Sequence, residues 1–155
     1  MKVVLPLLGS LFFITSCDLF FGNSSSWVLI EEGAIQFDSK GKAFILKEKA
    51  KITGNVNKVC LTLGFSKLEE LDDWLNSDLA KKISFTVKGF SKEKGYTFGN
   101  KNILLMGDAV SEWSNNVCYS GRSSDLDDFN SFDKFKISSN FNVTVYEIYW
   151  YSDLT

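Results

Sequence analysis

Downstream of residue 26 the dominant spacing between apolar residues is two, the period of strands with one face turned inward. Residues 27–30 and 34–37 predict two short strands joined by a turn at Glu31-Glu32-Gly33. Across 43–52, Phe44, Leu46, Ala50 and Ile52 share one face while Lys47, Lys49 and Lys51 take the other. Val59, Leu61, Leu63 and Phe65 line one side of the next strand, with Cys60 and Thr62 pointing the opposite way, and Ile83, Phe85 and Val87 alternate with Ser84, Thr86 and Lys88. Weaker runs follow at 102–106, 117–120 and 135–137. The last run, 141–151, is apolar on both faces: Phe141, Val143, Val145 and Tyr149 on one, Tyr146, Ile148 and Trp150 on the other. Such a strand needs cover on both sides, or a binding surface on one.

One segment has a different period. Ser66-Lys67-Leu68-Glu69 fits a capping box, and Leu68, Leu71, Leu75 and Leu79 recur at helical spacing beside Trp74, which predicts one short helix over about 67–79. About seven to nine short strands, with turn signals at Ser39-Lys40-Gly41 and Lys94-Gly95, predict a mainly β fold. Its expected form is a β-sandwich or jelly-roll-like pair of antiparallel sheets with the helix set in a loop.

The first residues do not share this pattern. Lys2 followed by the apolar stretch 3–14 reads as a signal peptide, too short to cross a bilayer. Ile14-Thr15-Ser16-Cys17 then leads into Asp18 and the polar run Asn23-Ser24-Ser25-Ser26. This resembles the lipobox of bacterial lipoproteins, with Ile14 where Leu is commonest and Ser16 where Ala or Gly is. The resemblance implies that Cys17 becomes the first mature residue and carries diacylglycerol through a thioether, a bond that needs a thiol, together with further acylation by palmitate or a similar chain. It also implies a cell-envelope protein lipid-anchored in the inner or outer membrane and facing the periplasm. Asp18 resembles the inner-membrane retention signal of enterobacterial lipoproteins. The alternatives are an ordinary secretory signal cleaved near Ser16 or Gly22, and a retained helical anchor. Paired acyl chains, at about 0.8 kcal/mol per buried methylene, hold a protein on a bilayer without a transmembrane helix. The expected organisation is a signal peptide at 1–16, a lipidated flexible tether at 17–26 and a single domain at 27–155.

Composition narrows the chemistry. The 155 residues are 45% apolar and 15% aromatic with one proline, enough to bury a core. There is no histidine, which removes Ser-His-Asp and Cys-His hydrolases, zincins and His-bound transition-metal enzymes from consideration. The formal charge is −2, and along the chain the lysines stand among acids without a basic stripe, so nucleic acid is not an expected partner. With Cys17 lipidated, Cys60 and Cys118 remain. An even pair in an exported chain is expected to form a disulfide, the alternative being two free buried thiols.

Among candidate sites, Asp125, Asp127, Asp128 and Asp133 crowd oxygen ligands on one loop and form a weak calcium candidate, since the run lacks the glycine and terminal glutamate of an EF-hand. A solvated loop is the simpler reading, and no cofactor beyond the acyl lipid is expected. Adjacent acids (Glu31 with Glu32, Glu69 with Glu70, Asp72 with Asp73, Asp127 with Asp128) could supply a carboxylate-only glycoside hydrolase, but nothing in sequence singles out one pair. Aromatic residues are the better candidates for a binding surface: Tyr146, Tyr149, Trp150 and Tyr151 on the last strand, Trp113, and also Trp27. The expectation is therefore a non-enzymatic protein-binding domain of assembly-factor or inhibitor and immunity type, whose partner is an envelope or secreted protein. A carbohydrate-binding jelly-roll module is the alternative and the hydrolase a second one.

Overall fold

The structure, a computed structural model, describes residues 26–65, 68–106 and 113–153. Nine strands run in the order β1 (Ser26–Phe37), β2 (Lys42–Lys51), β3 (Val56–Phe65), β4 (Phe85–Ser91), β5 (Lys94–Phe98), β6 (Asn100–Met106), β7 (Trp113–Gly121), β8 (Ser131–Ser139) and β9 (Val143–Asp153). Helices α1 (Leu68–Asn76) and α2 (Asp78–Lys82) lie between β3 and β4. Two sheets form, ordered β1-β9-β3-β7-β6 and β2-β8-β4-β5, and every pairing is antiparallel. The fold is thus the mainly β, two-sheet architecture that the period of two predicts. Among the described residues no helix is long and apolar enough to cross a membrane.

The core lies between the sheets and is largely aromatic. Phe98 meets Phe132 edge-on at 5.5 Å and Trp150 at 5.9 Å, and Phe132, Phe135, Ile137, Val59, Leu61 and Val87 are sealed from solvent around them. Trp150 places its indole N–H 3.0 Å from the Lys51 carbonyl, so this ring bridges the sheets without an unpaired donor.

Three predicted local features differ. Residues 26–37 are one strand, because both halves pair with β9. The expected turn at Glu31-Glu32-Gly33 is instead a bulged stretch, with register shifts between Leu29 and Glu31 and between Glu32 and Ile35, and Gly33 at φ +106° supplies the backbone angle. The chain turns later, at Asp38–Gly41, where the Asp38 carboxylate accepts the N–H groups of Lys40 and Gly41 and Gly41 takes φ +73°. The single predicted helix is broken at Ser77. Its hydroxyl donates to the Trp74 carbonyl at the end of α1 and accepts the Ala80 N–H, so one serine closes the first helix and caps the second. The proposed capping residues Ser66 and Lys67 lie outside the described residues. In β9 the alternation changes phase: Val145 points into the core, and so do Ile148 and Trp150.

Cys60 and Cys118 form a disulfide across directly paired positions of β3 and β7, with Cα atoms 4.0 Å apart. Cys17 lies outside the described residues.

Candidate docking surface

The five-stranded sheet keeps its second face outside the sandwich, and three transverse rows define it. Trp27, Tyr151, Lys58 and Ser120 form one row; Leu29, Tyr149, Cys60 and Cys118 form the next; Glu32, Glu147, Thr62 and Asn116 form the third. The cause is local: Val28 and Ile30 pack toward the core, so the alternation turns Trp27 and Leu29 outward. Among the described residues β1 pairs only with β9 and leaves its other edge open.

The centre of this face is sealed. Cys60, Thr62, Asn116 and Cys118 have no solvent exposure. The Thr62 hydroxyl donates to Asn116 Oδ1 at 2.7 Å, and Asn116 Nδ2 donates to the Tyr149 hydroxyl at 2.9 Å. Burial, and then the charge of Glu147, push the Tyr149 phenol above its ordinary pKa. Glu147 itself is raised, first by burial and then by Glu32, its cross-strand partner. Tyr151 donates to Asp153 at 2.6 Å, a hydrogen bond that raises its pKa, and the Lys58 ammonium sits 4.8 Å above its ring.

Toward the open edge the same face becomes apolar and exposed. Trp27 is 55% exposed and Leu29 38%, and the Trp27 ring lies 6.0 Å from that of Tyr149 at a 30° tilt. Here β2 loses its register with β8 between Ile45 and Ala50. A cleft of about 500 Å³ opens between residues 27–32 and 45–48, with apolar Trp27, Leu29 and Ile45 interspersed with Glu31, Glu32 and Lys47. A smaller cavity of about 250 Å³ lies beneath α1 between Leu63, Trp74, Ile83 and Phe141.

The predicted aromatic site is brought together only in part. Tyr149 and Tyr151 are half-buried on this outer face. Trp150 is not on it: the strand alternation turns that ring inward, where it is fully buried, so it is removed from any docking surface. Tyr146 is half-buried at the register shift, opposite no residue of β1. Trp113 begins β7 opposite Phe65, and its side chain lies outside the described residues. Leu29 and the Thr62–Asn116 pair carry no compositional flag. The signal that finds them is the alternation, which turns Val59 and Leu61 inward and hence Thr62 outward.

The acidic loop does not converge. Asp128 pairs with Lys94 at 2.6 Å, and that bond holds its carboxyl below the ordinary value. Asp133 accepts the Lys92 N–H at 3.0 Å, Asp125 ends a 3₁₀ turn and Asp127 is exposed. Among the described residues no three His, Cys, Asp or Glu side chains come together as a metal site. The adjacent acid pairs at 31–32, 69–70, 72–73 and 127–128 are all exposed.

What the arrangement offers is an apolar, ring-backed edge on an otherwise polar sheet. No protein-family model matches this chain, and no match to it was found among the curated proteins or the solved structures.

Proposed function

We infer that this chain is a bacterial envelope lipoprotein, lipidated at Cys17, whose sandwich domain binds an envelope or secreted protein without catalysis. One observation carries the choice of surface: Trp27 and Leu29 stand exposed on an open edge strand and are backed by Tyr149. Exposed Trp and Tyr are the residues that most often dominate protein interfaces, and an unpaired strand edge offers main-chain hydrogen bonds to an added strand. The cleft beside β2 widens that edge and gives an incoming segment both apolar and charged contacts.

The test is affinity capture by the full chain from envelope extract and culture supernatant, run in parallel with Trp27→Ala and Leu29→Asp. A protein recovered by the wild type and lost with both variants, which are expected to melt normally, is the predicted result. Recovery that ignores both substitutions overturns the assignment. For the anchor, incorporation of a palmitate analogue is expected and should vanish in Cys17→Ala; unchanged labelling refutes it. A carbohydrate partner is the second reading, favoured by the neighbouring Trp27 and Tyr149 rings, 6.0 Å apart at a 30° tilt on the exposed edge. Retention on a glycan resin that is lost in Trp27→Ala would select it.

A further inference from the structure

In sequence the lysines stand among acids, but the four-stranded sheet gathers three of them on its outer face. Two rows cross that face: Ala43, Lys136, Lys88 and Thr97, then Ile45, Lys134, Phe90 and Gly95. Neither row contains an acid. Lys88 and Lys136 are exposed and directly opposite each other, and neither takes part in an ion pair among the described residues. Like charges placed opposite one another weaken a sheet, so the arrangement works against the fold. Lys134 holds its ammonium 4.6 Å over the Phe90 ring. At the sheet edge Ile45 is 84% exposed beside Lys134, and Lys47, Lys49 and Lys51 are exposed further along β2. The chain as a whole carries −2, so the charge on this face opposes the molecular average.

We propose that this lysine face docks on the anionic phospholipid headgroups of a bilayer, with Ile45 reaching into the interface. Several ammonium groups on one sheet face suit an array of phosphates, and basic residues beside an aliphatic side chain are what interfacial attachment uses. Position agrees with this. Ile45 lines the same cleft as Trp27, at the start of β1, ten residues beyond Cys17 in the chain. The proposal rests on the proposed anchor only in that the anchor keeps the domain within reach of the membrane.

The experiment measures binding of the full chain to vesicles of phosphatidylcholine alone and of phosphatidylcholine with phosphatidylglycerol. Each lysine at an anionic surface contributes about fivefold, so phosphatidylglycerol is expected to raise binding on the order of 100-fold. High salt should erase that gain, because the attraction is screened within roughly 10 Å. The triple variant Lys88→Gln/Lys134→Gln/Lys136→Gln should lose the gain and keep its binding to phosphatidylcholine, which reads the N-terminal anchor separately. A failed anchor therefore appears as lost binding to phosphatidylcholine and leaves the ratio between lipids readable. Equal binding to both lipids by the wild type overturns the proposal, as does a folded triple variant that keeps the gain. If the triple variant does not fold, the salt and lipid arms on the wild type decide together with Ile45→Ser, which should weaken binding severalfold. Polyglutamate binding that depends on the three lysines, with no preference for phosphatidylglycerol, would assign the face to an acidic protein and also overturn it.

Discussion

The outer face of the five-stranded sheet is closed at its centre, where the polar groups are paired: a disulfide, a Thr62–Asn116–Tyr149 hydrogen-bond chain and a lysine above Tyr151, with one like-charge pair, Glu32 and Glu147, left at the rim. The outer face of the four-stranded sheet sets Lys88 against Lys136 in the open. Both sheets bury aromatic inner faces against one another, so the core does not set this difference. A face whose groups satisfy one another contributes to stability. A face whose groups repel one another has a cost that folding alone does not explain, and it is the more informative about what the molecule meets.

The largest way to break this contrast is to open the closed face. Cys60→Ser with Cys118→Ser frees a loop of 58 residues and should cost about 4 kcal/mol in chemical denaturation. A loss near zero would mean that the strand pairing, and not the bridge, holds β3 to β7. Thr62→Val, nearly isosteric, removes the donor to a buried amide and should cost about 1–2 kcal/mol. If that substitution is neutral, the hydrogen-bond chain under Tyr149 is not what closes the face.

The alternation of 83–88 and of 59–63 was readable in full, because strands with one face in a core have nowhere else to put their apolar side chains. The phase of β9 was not: 141–151 is apolar at nearly every position, so period alone cannot choose a face, and the shift near Tyr146 moves Trp150 into the core. The bulge at Glu31-Glu32-Gly33 looks like a turn for a similar reason, since two acids and a glycine suit either, and only the pairing of both flanks with β9 decides. The lysine face was invisible because Lys88 on β4 stands 46 and 48 residues before Lys134 and Lys136 on β8. Topology, and not composition, makes them neighbours.

A smaller effect tests the open face directly. Lys88→Gln relieves the repulsion with Lys136 and should raise stability by about 0.5 kcal/mol at low salt, a gain that shrinks as salt screens the pair. The same substitution should weaken attachment to anionic vesicles. Stability gained together with binding lost is the signature of residues kept for a partner. Stability lost would mean that the lysine stems pack usefully on the sheet and that the two faces differ less than their charges suggest.

The smallest expected effect lies at the rim of the closed face, where Glu147 faces Glu32. Burial and that neighbouring charge raise the Glu147 carboxyl, so the folded protein holds this proton more tightly than the unfolded chain does. Its contribution therefore improves as pH falls from above the folded value to below the unfolded value of about 4.3, and at neutral pH the ionised group is a cost. Glu147→Gln should raise stability at pH 7 by about 0.3 kcal/mol, a small figure because the side chain stays largely solvated. Below roughly pH 4 the variant and the wild type should melt together, since both then carry a neutral group. A gain that persists in acid would trace to packing against Tyr149 and not to charge, and the closed face would then have no electrostatic weakness of the kind that marks the lysine face.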